Sequence, residues 1–434
     1  MSTHNTHKNS TFVTANEVRT MKATIITIGD ELLNGQTIDT NAAWLGQELN
    51  GIGVDVCAGM TIKDTKEAIS AAITTASTNS DLIIMTGGLG PTRDDVTKQA
   101  IADHYGDDMI FNQENYEVIL DLFKRIGRTP KEAHRAQCYM PSSATLLKNK
   151  RGTAPGMWFE QKGTILLSMP GVPGEMKGIM RDGGLAKIQA ANPGYHVIHH
   201  IIKTAGQGET FLAEAIQDIV DQFPSEMSMA YLPGLANVRL RISAKGTDRQ
   251  RLEGLLQEVA PQIETKVAKW TYAIGDKELQ EVIGELCVAK GLKIGTAESC
   301  TGGKIANLLT SVPGSSAYYE GSVVSYSNRL KESLLGVSTS TIKTHGAVSE
   351  ATVRQMVLGS IDTLGIDISV AVSGVAGPGG GTPEKPVGTV WIAVGNKQRV
   401  VTRKWQLAKD RKLNIQYTAN IALNQLRLFI DNRI

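Results

Sequence analysis

The stretch Leu292-Lys-Ile-Gly-Thr-Ala-Glu-Ser-Cys-Thr-Gly-Gly303 decides the fold of the C-terminal third of this chain. Its first half is an apolar, strand-like run, and the polar residues and paired glycines after it open a helix that runs to Leu309. Further strands are predicted at residues 322–326, 368–373, 387–394 and 400–407, before a long closing helix from Asp410. The pattern predicts an α/β domain with Ser299 at a sharp turn after a strand.

Ser299 occupies the position at which enzymes present a nucleophile, because free amides and the positive end of a helix dipole lie beside it. Serine needs a base, and the only histidine after residue 273 is His345. Lys331 is the alternative, at the end of the segment Tyr326-Ser-Asn-Arg-Leu-Lys331 that leaves a predicted strand. A lysine desolvated in a crevice has a lowered pKa and can act as a base.

Simpler interpretations of these residues remain open. Ser299 fits a helix N-cap, and Lys331 fits a solvated helix face. Cys300 competes as a nucleophile but, without a neighbouring histidine, is more typical of a small buried residue. The run 302–304 resembles a phosphate loop, but that pattern fails because Glu298 stands where its first glycine should be.

The same alternation of strand, turn and helix begins at Lys22 and predicts a parallel sheet with helices on both faces. Asp30 follows the first strand, and the run Thr86-Gly-Gly-Leu-Gly-Pro-Thr-Arg-Asp-Asp95 follows another. A glycine loop followed by aspartates can bind phosphate through amides and a divalent cation through carboxylates. Capping and turn chemistry explain each aspartate singly, but not their clustering at one sheet edge.

Length and composition favour a multidomain enzyme of small phosphorylated molecules. The 434 residues exceed the usual size of one core, and the 44 glycines are typical of the tight turns of α/β enzymes. With 45 basic against 43 acidic residues, charge does not demand nucleic acid. The four cysteines are scattered without a C-x-x-C pair, which fits a reducing cytoplasm. No run is long and apolar enough to span a bilayer, and residues 1–20 are predicted to be a disordered tail.

Five ordered motifs stand in the C-terminal third: Thr296-Ala-Glu-Ser-Cys-Thr-Gly-Gly303, Val324-Ser-Tyr-Ser-Asn-Arg-Leu-Lys331, His345-Gly-Ala-Val-Ser349, Ser373-Gly-Val-Ala-Gly-Pro-Gly-Gly380 and Lys385-Pro-Val-Gly-Thr-Val-Trp391. Together they resemble the C-terminal domain of the CinA (competence/damage-inducible) family, the nicotinamide-nucleotide amidase. The resemblance implies that Ser299 is the nucleophile, Lys331 its partner and Tyr326 a third catalytic residue able to relay the proton. The implied reaction converts nicotinamide mononucleotide to nicotinate mononucleotide and ammonia without a cofactor.

Substrate-binding residues are predicted around this dyad. Backbone amides at Thr301, Gly302 and Gly303 are expected to hold the oxyanion. Glycines after a predicted strand allow close approach of a phosphate or ribose, although an ordinary glycine-rich turn explains them equally well. The complete set adds Asn328, Ser373, Gly374, Gly377, Gly379, Gly380 and Arg411.

The N-terminal runs, with Asn149-Lys-Arg-Gly-Thr-Ala-Pro-Gly156 and Pro170-Gly-Val-Pro-Gly-Glu175, resemble the N-terminal domain of the same family, which shares the fold of molybdopterin-binding MoaB and MogA proteins. The resemblance implies metal-dependent hydrolysis of ADP-ribose to AMP and ribose 5-phosphate. The expected phosphate-binding residues are Gly87, Gly88, Gly90 and Thr92, and the expected ligands of a divalent metal ion, whose identity stays open, are Asp30, Asp94 and Asp95.

The predicted fold class is α/β with three domains: a MoaB/MogA-like three-layer α/β domain, a small KH-like α+β linker module and a C-terminal α/β amidase domain. After the tail at 1–20, we place them at residues 21–190, 191–273 and 274–434. The linker module lacks a basic G-x-x-G loop and is expected to pack or dimerise rather than bind RNA.

We expect a bifunctional cytoplasmic hydrolase, a homodimer acting on nicotinamide mononucleotide and ADP-ribose, with no nucleic-acid or membrane partner. Two alternatives stay open. In one, the N-terminal domain only binds molybdopterin or a nucleotide; in the other, the protein is a non-enzymatic partner of DNA-uptake or repair proteins.

Overall fold

A computed structural model describes residues 20–90, 96–125 and 127–434. The chain packs as two units, one of residues up to Ile198 with Lys245–Glu253, and one of His199–Ala244 with Gly254–Ile434. Within the described ranges, no helix has the length and apolar character needed to cross a membrane.

Strands and helices alternate along the first unit. The strands are β1 (Lys22–Ile28), β2 (Asp55–Ile62), β3 (Leu82–Thr86), β4 (Met109–Phe111), β5 (Tyr139–Pro141), β6 (Thr145–Leu147), β7 (Gly156–Gln161) and β8 (Thr164–Met169). The helices are α1 (Asp30–Leu33), α2 (Thr40–Gly51), α3 (Lys66–Asn79), α4 (Thr97–Tyr105), α5 (Gln113–Arg125), α6 (Glu132–Ala136), α7 (Pro173–Ile179) and α8 (Leu185–Ala191), with a π-helical turn at Met180–Gly184.

Six of these strands form one sheet in the order β2-β1-β3-β8-β7-β6, and β4 pairs with β5 separately. Adjacent residues of a strand pack into different cores: Ile25 and Ile84 lie in one cluster, Ile26 and Ile83 in the other. Both faces of the sheet are therefore covered, which explains why β1 and β3 are nearly continuous apolar runs.

The predicted parallel sheet has an antiparallel edge in this unit. β2, β1, β3 and β8 run parallel, whereas β7 is antiparallel to both β8 and β6. Lys162 and Gly163 connect β7 to β8 with φ of 53° and 80°. A connection this short can join only antiparallel strands. It lacks the Asn-Gly or Asp-Gly pair that signals a hairpin in a sequence.

The linker module is an α+β structure, as predicted. It consists of β9 (His196–Ala205), α9 (Glu209–Val220), β10 (Met227–Pro233), β11 (Asn237–Gly246), α10 (Arg249–Val267) and β12 (Thr271–Ile274). Its strands form a four-stranded sheet in the order β10-β11-β9-β12.

The C-terminal domain is built on a five-stranded sheet. Its elements are α11 (Leu279–Lys290), β13 (Ile294–Glu298), α12 (Lys304–Thr310), a 3₁₀ turn (Ser315–Ala317), β14 (Tyr319–Val324), α13 (Asn328–Leu335), α14 (Thr339–His345), α15 (Glu350–Leu364), β15 (Ile368–Gly374), β16 (Thr389–Gly395), β17 (Val400–Gln406) and α16 (Arg411–Ile430). The order is β14-β13-β15-β16-β17. β14, β13 and β15 are parallel, so their carboxyl ends meet at one edge of the sheet.

Candidate active site

Ser299 directly follows β13 at this edge, and its side chain is almost fully buried. The turn that begins with it leads into α12. Gly303, which has no side chain, is the N-cap of α12, so Ser299 is not the capping residue of that helix.

A buried carboxylate from the strand takes over the capping role. The oxygens of Glu298 accept hydrogen bonds from Thr301 Oγ1 at 2.6 Å, Gly303 N at 3.0 Å, Ile305 N at 3.1 Å and Ala306 N at 2.8 Å. The amides of Ile305 and Ala306 are among those that a helix start leaves without an intrahelical acceptor. Glu298 thus fixes the turn that carries Ser299 to the start of α12. The sequence interpretation missed this role, although an acidic residue just before a helix is a recognisable signal.

The two glycines of the turn are required by its backbone. Gly302 and Gly303 have φ of 60° and 98°, a region that other residues rarely adopt. Gly302 N donates to Ser299 O at 3.2 Å, and Gly303 N donates to Glu298. Both amides already have acceptors inside the turn, which leaves them less free to hold an oxyanion than the sequence predicts.

The preceding amides are the better candidates. The prediction also named the backbone amide of Thr301, whose buried hydroxyl donates to Glu298. This amide and that of Cys300 have no carbonyl acceptor among the backbone hydrogen bonds of the described residues. These two amides, adjacent to the Ser299 side chain in sequence, are candidate oxyanion donors.

Lys331 contacts Ser299 directly. Its Nζ lies 2.9 Å from Ser299 Oγ, 2.8 Å from Ser325 O and 3.5 Å from Tyr326 O. The side chain is 1% exposed, which excludes a solvated helix face. A neutral amine has two N–H groups and one lone pair. Lys331 can therefore donate to the two carbonyls and accept the Ser299 hydroxyl proton.

The buried position of Lys331 favours its neutral form. Burial lowers the pKa of Lys331, and the opposing influence of Cys300 is smaller. No carboxylate of the described residues contributes to this shift. Burial also raises the pKa of Cys300 to about 12, which leaves its thiol protonated at neutral pH. Ser299 is therefore the residue of this turn that has a base beside it.

A crevice of about 190 Å³ opens on the Ser299–Lys331 pair. It brings together the predicted residues Tyr326, Asn328, Ser373, Gly374 and Arg411. The sequence interpretation did not single out Ala347, Val348 and Ala376, which complete the wall. They lie in the motifs at residues 345–349 and 373–380, but the sequence alone does not distinguish small apolar residues of a site wall from those of a core.

The glycines beyond β15 are placed differently from the prediction. Gly377, Gly379 and Gly380 do not line the crevice. Gly377 O instead accepts a hydrogen bond from Arg411 Nη1 at 2.8 Å, and the other two glycines are exposed. The loop therefore orients Arg411 and does not itself face the dyad.

Tyr326 also differs from the prediction. Its side chain is 60% exposed, and its hydroxyl accepts a hydrogen bond from Arg411 Nη2 at 2.9 Å. Only its backbone carbonyl approaches Lys331. The direct contact between Lys331 and Ser299 leaves no gap for a proton relay through this phenol, which instead holds Arg411 at the rim of the crevice.

The second predicted site lies at the carboxyl ends of β1 and β3 in the first unit. Gly87 and Gly88 both have positive φ, and a Cβ would collide with Ile28 O at the first and with Thr97 Oγ1 at the second. Asn41 Nδ2 donates to Gly171 O at 2.7 Å and ties the next loop to this edge. The turn therefore accepts only glycine; Gly87 is buried with its amide donating to Met169 O at 3.0 Å, and Gly88 is half-buried.

The metal ligands predicted for this site are only partly within the described ranges. Asp30 is exposed at the start of α1, and Gly90 is the last residue before the gap at 91–95. Thr92, Asp94 and Asp95 lie outside the described residues. Across the described ranges, no three His, Cys, Asp or Glu side chains group closely enough to hold a metal ion.

Comparison with known families matches each part of the chain. Residues 24–188 match the probable molybdopterin binding domain, 199–273 the damage-inducible protein CinA KH domain and 276–430 the CinA C-terminal domain. A CinA-like protein of Cytophaga hutchinsonii is 42% identical over 405 residues, which cover 93% of this chain and 97% of that protein. The chain belongs to the CinA family.

A second curated relative supports the same family. A putative competence-damage inducible protein of Caldicellulosiruptor saccharolyticus is 36% identical, over 95% of this chain and 100% of that protein. Among solved structures, a CinA superfamily protein from Klebsiella pneumoniae is 33% identical over 36% of this chain and 99% of its own, with a TM-score of 0.35. The predicted family and the predicted order of three domains are confirmed.

Proposed function

We propose that the C-terminal domain is a Ser-Lys amidase that converts nicotinamide mononucleotide to nicotinate mononucleotide and ammonia. One observation carries this proposal: Lys331 Nζ lies 2.9 Å from Ser299 Oγ at the base of a crevice. A buried lysine whose pKa is lowered by desolvation is a base of the kind that activates a serine.

The reaction follows from these atoms. Neutral Lys331 takes the Ser299 proton while Oγ attacks the carboxamide carbon, and the carbonyl oxygen becomes an oxyanion facing the amides of Cys300 and Thr301. The lysine ammonium then protonates the amide nitrogen, the C–N bond breaks and ammonia leaves. Lys331, neutral again, deprotonates a water that attacks the Ser299 ester. The carboxylate product leaves, and the serine regains its proton.

The substrate class rests on the charge at the crevice rim and on the family resemblance. Arg411 donates from Nη1 to Gly377 O and from Nη2 to Tyr326 Oη, which fixes its guanidinium beside Asn328 in the same wall. A guanidinium so held is suited to the phosphate of a mononucleotide. That the other end of the substrate is a pyridine carboxamide is inferred from the family resemblance.

Ammonia release from nicotinamide mononucleotide by the full chain tests the proposal. We expect Ser299→Ala and Lys331→Met to lose turnover by about 10³-fold or more, because each removes one member of a unit that acts together. Lys343→Met, at an exposed lysine of α14, should retain full turnover. Native protein without activity, or a fully active Lys331→Met variant, would contradict the proposal.

For the N-terminal domain we propose hydrolysis of ADP-ribose to AMP and ribose 5-phosphate with a divalent metal ion. The position of the glycine turn supports phosphate binding, since Gly87 and Gly88 follow a parallel strand at its carboxyl end, where such sheets bind their ligands. The described residues do not supply a metal-ligand set, so no step is assigned to the ion. Binding of molybdopterin or a nucleotide without turnover is the alternative.

Release of AMP from ADP-ribose, measured with Mg²⁺ and with a chelator, separates these functions. We expect turnover that the chelator abolishes and that Asp30→Asn reduces. Binding of ADP-ribose with no turnover under any divalent ion would assign the domain a binding role alone.

A further inference from the structure

A second cavity lies in the same unit as the amidase crevice and shares none of its residues. Its volume is about 530 Å³, within the range of roughly 300–1,000 Å³ typical of small-molecule sites. Its walls come from the turn before α9, the segment between α10 and β12, β17 and the second half of α16. We call it the indole cavity because Trp270 and Trp405 both line it.

The charged residues of this wall are all cationic. Four cationic side chains line the indole cavity and no acidic side chain does; the cations are Lys269, Arg403, Arg427 and Arg433. A cavity wall of a single sign concentrates ligands of the opposite charge.

Arg427 is the buried cation of this wall. It is only 2% exposed, its Nε and Nη2 donate to Asn424 Oδ1, its Nη1 donates to Thr271 O at 3.3 Å, and Asp431 lies 4.0 Å away. Burial and the neighbouring Arg433, which is itself exposed, lower the pKa of Arg427 to about 10. A buried guanidinium without a close carboxylate is stabilised by an anion bound in the cavity.

Backbone groups add to this anion site. Gly206, Gln207 and Gly208 line the cavity and directly precede the 12-residue helix α9. The N-cap Gly208 has no side chain to accept from the first amides of the helix. Such a helix start binds phosphate groups readily.

The aromatic part of the wall fits a planar ring. Trp270, Trp405 and Tyr417 contribute to it, and the Arg403 guanidinium lies 4.5 Å from the Trp405 ring centroid. The indole nitrogen of Trp405 is buried without an acceptor among the described residues. A ligand with a planar base provides both a stacking surface and hydrogen-bond acceptors.

We propose that the indole cavity binds a nucleoside monophosphate, with the phosphate near Arg427, Arg433 and the start of α9 and the base near the two indoles. The site is separate from the amidase crevice and does not depend on amidase activity. The two sites share α16, which begins with Arg411 and carries Arg427 further along.

AMP is the probe for this proposal, titrated calorimetrically into the full chain. We expect Arg403→Glu to weaken the binding about tenfold or more, or about 1.4 kcal/mol, because it replaces the guanidinium over Trp405 with a carboxylate that repels an anionic ligand of the cavity. Lys404→Glu is the matched control, because Lys404 carries the same charge, neighbours Arg403 on β17 and does not line the cavity. It should bind AMP like the native protein. Adenosine and inorganic phosphate should each bind at least about tenfold more weakly than AMP.

Photolabelling with 8-azido-AMP locates the site independently of these variants. We expect the label on peptides that contain Trp270 or Trp405, and its loss in the Arg403→Glu protein. Absence of AMP binding, equal binding by Arg403→Glu and native protein, or labelling confined to other peptides would each overturn the proposal.

Discussion

Replacing Glu298 by glutamine should loosen the turn that holds the nucleophile without unfolding the domain. The carboxylate accepts four hydrogen bonds of 2.6–3.1 Å, three on Oε2 and one on Oε1. Oε1 also accepts two longer ones, from Thr296 Oγ1 at 3.3 Å and Ser322 Oγ at 3.5 Å, whose hydroxyls can turn to accept from an amide instead. A glutamine keeps one accepting oxygen for the first three donors but turns an NH₂ group toward Ala306 N. It loses one hydrogen bond and the charge on the others. At about 1.5–3 kcal/mol for a charged hydrogen bond, we expect a loss of about 2–3 kcal/mol.

Alanine at the same position should be far more damaging. It leaves four donors unpaired in a fully buried site, and each unsatisfied group costs about 1–3 kcal/mol. The sum of about 4 kcal/mol or more is a large part of the total stability of a domain. Glu298→Gln is therefore the informative variant, and Glu320→Gln, at an exposed position of β14, is its control.

Two measurements follow the effect of Glu298→Gln. Hydrogen exchange of the amides of α12 should accelerate, since Ile305 N and Ala306 N lose their charged acceptor. Ammonia release should fall by about 10²-fold, because a displacement of about 1 Å at Ser299 costs that much. Unchanged exchange and unchanged turnover in Glu298→Gln would refute the assignment of Glu298 as the residue that fixes the turn.

Three further predictions concern the same domain. Burial lowers the pKa of Lys331, and the reaction requires its neutral form. We therefore expect kcat/KM to rise with pH through a midpoint below the ordinary lysine pKa of about 10.4. A pH profile of kcat/KM that does not rise would contradict a lysine base. Gly303→Ala should cost about 1–2 kcal/mol in urea unfolding because φ is 98°, whereas Gly254→Ala, in an open position within α10, should not destabilise. Arg411→Met should raise KM for the mononucleotide about tenfold or more with a smaller change in kcat. The control Lys412→Met should leave both constants unchanged. An Arg411→Met variant with the KM of the native protein would exclude a contact between Arg411 and the phosphate.

Local pattern was enough to predict many of the elements. The strand predicted at residues 368–373 is present as Ile368–Gly374, and the strand predicted at residues 400–407 is present as Val400–Gln406. Both begin with β-branched residues, and Gly365 and Asn396 stand shortly before them, so neighbouring residues alone specify where each strand starts.

Tertiary placement could not be predicted in the same way. The sequence placed Ser299 and Lys331 each after the end of a predicted strand, but only the fold brings Nζ to 2.9 Å from Oγ and buries it without a carboxylate partner. Tyr326 illustrates the limit: its position in the motif indicated a relay, while its contact is with Arg411, 85 residues away in sequence. Such a contact depends on the packing of α16 against the sheet, which no local pattern encodes.

The central claim is that Ser299 and Lys331 act as one catalytic unit. Ammonia release from nicotinamide mononucleotide, compared between the two single variants and the double variant, tests it most directly. The native protein, Ser299→Ala, Lys331→Met and the double variant would be measured under one set of conditions, with folding checked by circular dichroism. If the lysine acts only through the serine, all three variants should fall to the same residual rate. Losses that multiply in the double variant, or substantial turnover in either single variant, would contradict the dyad.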